Sequence, residues 1–293
     1  MSAPSVSFEI FPPASMTASF KLWDAMARLS TFAPDYVSVT YGAQGSAQDK
    51  TLDTARAVME QTKLPVASHL TAARASKEDV MTRAQGFADA GIRDIVALRG
   101  DPDSAGAEFA PHPDGFASSV ELVSALAETG NFNIRVGAYP ESHPSASSQQ
   151  QNIDYLKAKF DAGASEAITQ FFFEADTFLR FRDACAKAGI TQRIVPGILP
   201  PTNWTRARSF AERCGASVPD WLDQAFDAAI RDDRADLLSL AVTTELCSTL
   251  IDEGVDHLHI YTLNSAHLTE RLCLALGLAP EQPVLRPVLR DVA

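Results

Sequence analysis

The chain has 293 residues, 46% of them apolar, so it can build a large core and is too hydrophobic to be disordered. Its 37 acidic side chains against 25 basic ones give a net charge of −12, and an acidic chain without basic clusters is a poor nucleic-acid binder. No apolar run is long enough for a membrane span, and no basic-then-apolar leader opens the sequence.

In chain order, a first strand is predicted over about 6–11, stopped by Pro12 and Pro13, and is followed by a helix at 16–31. Further strands are predicted at 36–41, 66–71, 94–100, 135–140, 166–172, 193–199 and 257–263. Helices fill the gaps at 48–62, 76–90, 115–129, 148–161 and 175–188. The gap at 202–252 is longer and holds two or three helices, broken at Pro219 and around Arg231–Arg234. A last helix lies at 265–276, followed by a proline-rich tail. Five helical segments run into Gly91, Gly130, Gly163, Gly189 and Gly254, each followed within a few residues by a β-branched run. Glycine suits a helix C-terminus because it takes positive φ without a Cβ clash. Helix, glycine, short loop and strand, repeated, is the pattern of parallel β/α units.

Eight such strands predict an α/β fold, a (β/α)8 TIM barrel, which typically needs about 250 residues. The expectation is one domain over residues 1–293 with a helical excursion at about 200–256. There is no G-x-G-x-x-G after the first strand, which argues against a dinucleotide-binding open sheet. Cys185, Cys214, Cys247 and Cys273 are widely spaced, fall in helix-like segments and contain no C-x-x-C pair. They are expected as buried or half-buried free thiols, which fits a reducing cytoplasm.

In such barrels the reactive groups sit at the C-terminal ends of the strands. Here those ends carry Glu9, Thr40 and Tyr41, His69 and Thr71, Arg99 to Asp101, Tyr139 with Glu141 and His143, Gln170, and then His257, His259, Tyr261 and Asn264. Period-two alternation puts Ser7 and Glu9 on one face, opposite Phe8 and Ile10, and pairs Ser38 with Thr40 and Arg99 with Asp101. The small and polar set is expected inside the barrel and the bulky set against the helices. Glu9 between two apolar neighbours reads either as a proton-holding acid or as a structural carboxylate paired with an arginine. His257-x-His259 places two imidazoles on one strand face, as some metal sites do.

Eight stretches, "SFEIFPP", "VSVTYGAQGS", "HLT", "IVALRGD", "AYPESHPSA", "DAGASEAITQFFFEADTFLRFRD", "IVPGILP" and "YTLN", resemble in order those of the flavin-dependent methylenetetrahydrofolate reductases. The resemblance runs from residue 7 to 264 and implies a barrel that holds FAD without a covalent link. It implies NADH or NADPH as co-substrate, a folate substrate in one-carbon metabolism leading to methionine, and a homo-oligomer. Carried over by position, Glu9 matches the family's general acid, and Asp101 the group beside the flavin that tunes it and steadies a cationic folate intermediate. Thr40, Tyr41, Ala43, His69, Arg99, Gly100, Tyr139, His143, Ala146 and Lys159 match flavin-site positions. Gln170 matches a contact to folate and nicotinamide, and Phe210 a ring that packs on the substrate. No metal is implied.

The chain departs from the family at Ser265, often Arg, at Asn152, often Asp, at Tyr155, often Asn, and at Arg206, often Gln. These changes bear on the folate contacts and on the adenosine end of FAD. Two other readings stand beside this one: a metal-dependent barrel hydrolase using His257 and His259, and a barrel that binds flavin or folate without turnover.

Overall fold

The computed structural model describes residues 3–41, 48–100, 109–141, 143 and 146–280. Its strands are β1 (Ser5–Ile10), β2 (Val37–Val39), β3 (Val66–Thr71), β4 (Asp94–Leu98), β5 (Asn133–Ala138), β6 (Glu166–Thr169), β7 (Arg193–Val195), β8 (Gly197–Ile198) and β9 (His257–Tyr261). All pair in parallel, in the order β7-β6-β5-β4-β3-β2-β1-β9-β8. Between them run α1 (Met16–Leu29), α2 (Gln48–Thr62), α3 (Lys77–Asp89), α4 (Ser119–Glu128), α5 (Gln149–Asp161) and α6 (Ala175–Lys187). Then come α7 (Trp204–Cys214), α8 (Asp220–Arg231), α9 (Ala235–Asp252) and α10 (His267–Ala275).

The single strand expected at 193–199 is two short ones. Pro196 has no N–H for the ladder, so pairing breaks there. β7 pairs with β6 and β8 with β9, while the Pro196 carbonyl accepts from the His259 N–H at 3.0 Å. The two ends of the sheet are thus joined through Pro196, and the barrel closes. Other boundaries also move. The strand expected at 36–41 keeps only three residues, and that at 135–140 starts at Asn133. The helix expected at 115–129 starts at Ser119, where the Ser118 side chain accepts from the Glu121 N–H and caps it. The five helix-ending glycines all have positive φ, between 67° and 117°.

Alternation on β1 sorts the two sides of the barrel wall. Phe8 and Ile10 are buried in the apolar clusters beneath the helices. Ser7 is also fully buried, on the opposite face, and the inward set continues with Ser38, His69, His257 and His259. This barrel is therefore lined with hydroxyl and imidazole groups more than with aliphatic side chains, leaving Tyr36, Ala67, Val96 and Ile168 as a small apolar plug. α7 and α8 form a satellite core in which Trp204 stacks on Phe226 at 4.1 Å between ring centres. The cysteines are free, with Cys185, Cys247 and Cys273 buried and Cys214 half-buried. Among the described residues no helix is long and apolar enough to cross a membrane.

Barrel closure depends on the missing side chain at Gly197. Its N–H donates to Thr169 Oγ1 at 2.9 Å, and the Tyr261 hydroxyl donates to the Thr169 carbonyl at 2.7 Å. A Cβ at 197 would lie 2.2 Å from that carbonyl and 2.7 Å from the Tyr261 ring. Because a backbone atom cannot yield as a flexible side chain can, Gly197→Ala is expected to cost at least the roughly 1–3 kcal/mol of an overpacked core. Urea unfolding should show a lower midpoint with little change in slope; an unchanged midpoint would mean that the closure is loose.

Candidate active site

Parallel strands deliver their C-terminal ends to one mouth, and the candidate residues collect there. Glu9 is the fifth residue of β1 and pairs in register with Ser38 of β2 and Tyr261 of β9. Its main chain is clamped from β9: Thr262 donates to the Glu9 carbonyl through both its N–H, at 3.2 Å, and its hydroxyl, at 2.7 Å. Leu263 and Asn264 both have positive φ, a turn that swings the Asn264 amide back onto β1. There its oxygen accepts from the Phe11 N–H at 2.9 Å and its nitrogen donates to the Phe11 carbonyl at 2.8 Å. The "YTLN" motif thus fixes the segment that carries the acid.

The Glu9 side chain is 22% accessible, and no arginine pairs with it among the described contacts. Instead Oε2 lies 3.4 Å from His69 Nε2 and 3.7 Å from His259 Nε2. Burial raises the Glu9 pKa above the ordinary carboxylate range, with His69 opposing the rise. Burial also keeps the imidazoles neutral: His69 is lowered despite Glu9, and His259 is pushed down to about 3. The Tyr261 phenol is raised by burial and by the Glu9 charge. A carboxyl between neutral rings in a dry wall favours its protonated form. This corrects the arginine-paired reading of Glu9 and supplies the setting of a general acid.

His257 and His259 are not arranged as a metal pair. Register sets Ser5 beside His257 and Ser7 beside His259. Ser7 Oγ lies 2.8 Å from His257 Nε2 and 2.7 Å from His259 Nδ1, and Ser5 Oγ lies 2.6 Å from His257 Nδ1. Three of the four ring nitrogens are thereby engaged by serines. Among the described residues no three His, Cys, Asp or Glu side chains are placed to hold a metal ion. Below the rings Tyr36 stacks on both imidazoles, Arg135 lies 4.1 Å over the Tyr36 ring, and Arg135 bonds to Asp94 and Glu166. The sequence offered a signal for this ladder: Ser5-x-Ser7-x-Glu9 and His257-x-His259-x-Tyr261 share the period of two.

The remaining described candidates sit at the ends of other strands or on the helices beside them. Thr40 follows β2, its N–H bonded to the Ile10 carbonyl, and Tyr41 comes next. Arg99 and Gly100 follow β4, with the Arg99 guanidinium 4.7 Å over the Phe109 ring and Gly100 at φ +89°. Tyr139 and His143 meet edge to face at 4.5 Å, and the Ala146 N–H donates to the His143 carbonyl at 2.8 Å. Lys159 is buried on α5 with its ammonium on the Gly137 carbonyl, and burial lowers its pKa to about 8. The Gln170 side chain accepts from the Phe171 N–H, and Phe210 of α7 packs at 5.2 Å on Phe171, so excursion and strand end meet there. Ala43 and Asp101, with Gly42 and Gly45, lie outside the described residues.

Two of the sequence departures acquire structural roles. Asn152 donates to the Tyr139 carbonyl at 2.7 Å, a bond that aspartate could not make. The Tyr155 hydroxyl lies 3.0 Å from Ser119 Oγ and 3.2 Å from its N–H, tying α5 to the start of α4. Glu141 is committed elsewhere, its carboxylate accepting from the Ser217 N–H after α7 at 3.0 Å.

Comparison with known proteins places the chain. The family model for methylenetetrahydrofolate reductase matches residues 2–277. The 5,10-methylenetetrahydrofolate reductase of Pectobacterium carotovorum subsp. carotovorum is 43% identical over 278 residues, covering 94% of this chain and 91% of its own. That of Escherichia coli (strain K12) is 42% identical over 280 residues, covering 94% and 92%. The Zea mays methylenetetrahydrofolate reductase (NADH) 1 is 33% identical over 295 residues, 96% of this chain and 50% of its own length. A solved Clostridium thermocellum protein that binds two copies of 5-methyl-5,6,7,8-tetrahydrofolic acid shares the fold, with a TM-score of 0.61, 14% identity and 94% of each chain covered.

The neutral histidines make stability depend on pH. In the unfolded chain an imidazole takes a proton below about pH 6.5, whereas folded His257 and His259 resist it, chiefly through burial. The unfolded state then binds more protons, so stability should fall as pH falls from about 6.5, by up to roughly 1.4 kcal/mol per pH unit for each group. Glu9 works the opposite way, because its raised pKa loses stability as pH rises through the range where only the unfolded carboxyl ionises. Urea unfolding at pH 7 and pH 5 should therefore show a steeper loss in the parent chain than in His257→Gln. Equal losses would mean that His257 is charged in the folded protein.

Proposed function

The chain belongs to the methylenetetrahydrofolate reductase family and is thus an oxidoreductase of methylenetetrahydrofolate, and we propose that it works with non-covalent FAD, a nicotinamide donor and Glu9 as general acid. The observation that carries this reading is the Glu9 carboxyl, held in a barrel wall between two imidazoles that burial keeps neutral. Residues 1–293 are taken as one barrel domain, the excursion at about 200–256 contributing Phe210 beside the substrate.

The donors around the mouth suit FAD. Arg99 and Lys159 offer cationic groups for a diphosphate, while Thr40, Tyr41, Tyr139 and His143 offer hydroxyl and imidazole partners. His69, Ala43, Gly100 and Ala146 would complete its contacts, and Asp101 would sit beside the ring system. Bound there, FAD supplies two-electron chemistry, accepting a hydride from NADH or NADPH and later passing it to the folate.

The protein's own work is orientation and proton transfer. Methylenetetrahydrofolate carries its one-carbon unit in a five-membered ring bridging two nitrogens. Glu9 donates its proton to the departing amine nitrogen; that C–N bond breaks and leaves an iminium ion at the other nitrogen. Hydride added to the iminium carbon gives the methyl product. Each turnover consumes one proton and one hydride, so Glu9 ends as a carboxylate and must be reprotonated. A free glutamate, with a pKa near 4.3, would be almost wholly ionised at neutral pH, which is why the dry setting matters. Asp101 as an anion would steady the cationic iminium. Gln170 would hydrogen-bond the folate and then the nicotinamide, with Phe210 packing on whichever is bound.

Glu9→Gln keeps the shape and removes the proton. In anaerobic stopped-flow on the flavin-loaded protein, nicotinamide should still bleach the flavin at the parent rate, since that step needs no acid. Reoxidation by methylenetetrahydrofolate should slow by roughly 10²–10⁴-fold or more, the usual contribution of general acid catalysis. Equal slowing of both steps would make Glu9 structural, and no slowing would place the acid elsewhere. A protein that neither carries nor takes up FAD would overturn the cofactor assignment.

A further inference from the structure

The serine–imidazole ladder below Glu9 continues to the opposite end of the barrel and ends at a charge. Asp35, just before β2, has a half-exposed side chain, and its Oδ2 lies 3.0 Å from His257 Nδ1. From there the ladder runs through His257 to Ser7 at 2.8 Å, through Ser7 to His259 at 2.7 Å, and across His259 to Glu9 at 3.7 Å.

Hydrogen-bond accounting assigns each proton in this ladder. An aspartate carboxylate can only accept. Ser5, the other neighbour of His257 Nδ1, directs its single hydroxyl proton at the Asp256 carbonyl, 3.4 Å away, and so accepts from the ring. Both neighbours favour the His257 proton on Nδ1, because an N–H there faces a carboxylate 3.0 Å away and a serine oxygen at 2.6 Å, whereas a lone pair would face the negative charge. A neutral ring then has a bare Nε2, which must accept from the Ser7 hydroxyl. Ser7, its proton spent, accepts from His259, which places the His259 proton on Nδ1. The Tyr36 hydroxyl, which donates to Glu166 at 3.5 Å, also interacts with Ser7, so the Ser7 proton is assigned to the bare His257 Nε2 at 2.8 Å, the stronger acceptor. The His259 Nε2 left facing Glu9 therefore carries a lone pair. It is buried and makes no hydrogen bond, a condition less costly for a lone pair than for an N–H.

We propose that Asp35, acting through His257 and Ser7, sets the tautomer of His259, so that a bare Nε2 faces Glu9 and holds its carboxyl in the acid form. Asp35, His257 and Ser7 are positioning residues, and the inference rests on the reading of Glu9 as general acid. A lone pair can accept from a carboxylic acid and repels a carboxylate, so it favours the protonated state. Other ionisable groups face the ladder. His69 and Tyr261 flank Glu9, while Arg135, Glu166 and Tyr36 surround His259. Arg193, Asp256 and Glu166 lie near His257. The cations among them oppose imidazolium, which leaves the tautomer as the variable that Asp35 controls.

The test reverses the donor at the base of the ladder. Asp35→Lys replaces an acceptor-only group with a donor-only one at a half-exposed position; Asp35→Asn, whose amide can also donate, stands in if the lysine variant does not fold. In histidine-selective 15N NMR of the parent protein, His257 and His259 should both be protonated at Nδ1, and in the variant both at Nε2. With an N–H now facing Glu9, the carboxylate is favoured. Reoxidation by methylenetetrahydrofolate at pH 7–8 should slow about tenfold for each unit by which the Glu9 pKa falls, and recover at lower pH. Flavin reduction by nicotinamide should keep its parent rate. An Nε2–H tautomer of His259 in the parent, or an unmoved His259 in the variant, overturns the proposal. So does a kinetic shift that persists in a Ser7→Ala background, because a through-space field needs no hydroxyl. Glu9→Gln measured in parallel separates the two levels. If it leaves reoxidation intact, the general-acid reading fails; if it abolishes reoxidation while Asp35→Lys moves nothing, only the ladder fails.

Discussion

The structure turns on a carboxyl set largely out of water between two imidazoles. Glu9 sits against His69 and His259, and burial shifts each of the three groups towards its neutral form. Were either imidazole protonated, it would pull Glu9 towards the carboxylate and remove the proton that the proposed reaction consumes. Desolvation outweighs the attraction between acid and base here, as the directions of all three pKa values show. Arg135, close beneath the rings, reinforces the outcome by opposing a second cation at His259.

The backbone is built to hold that arrangement. β1 and β9 pair over five residues, and their register stacks Ser5, Ser7 and Glu9 beside His257, His259 and Tyr261. A one-residue slip would turn this set outwards into the apolar layer beneath the helices. The left-handed turn at Leu263 and Asn264, with the Thr262 bonds to the Glu9 carbonyl, pins the register at the mouth. On the far side, Gly197 admits Tyr261 against Thr169, so the closure of the barrel and the wall behind Glu9 share one contact. Polar residues inside and apolar residues outside invert the usual layering of a sheet, and the ladder of serines and imidazoles makes that tolerable by satisfying most of the buried polar atoms.

Much of the fold was legible in the sequence because it is written in local rules. Glycines 91, 130, 163, 189 and 254 marked helix ends by a backbone requirement that needs no tertiary context. Alternation along Ser7, Phe8, Glu9 and Ile10 gave the inside and outside of β1 correctly. The break at Pro196 was harder, since proline forbids one hydrogen bond but does not say whether a strand ends or resumes. Of the site, the strand-end position of Glu9 was readable, but its partners were not. His69 and His259 lie far from it in sequence, and only the closure of β9 onto β1 brings the second imidazole there. His257-x-His259 showed that two rings share a face, a pattern common to metal sites and hydrogen-bonded ladders; the serines that decide between them are on another strand. Asn152 and Tyr155 looked like losses at a ligand site, yet their bonds to Tyr139 and Ser119 are internal to the chain.

The central claim is that Glu9 carries a proton at neutral pH. Infrared difference spectroscopy between the parent protein and Glu9→Gln at pH 7 reads this directly, because a protonated carboxyl and a carboxylate absorb in separate regions. The account predicts that the substitution removes a carboxylic acid band, one that shifts in heavy water as an exchangeable proton requires. Loss of a carboxylate band, with no carboxylic acid band in the difference, would contradict it.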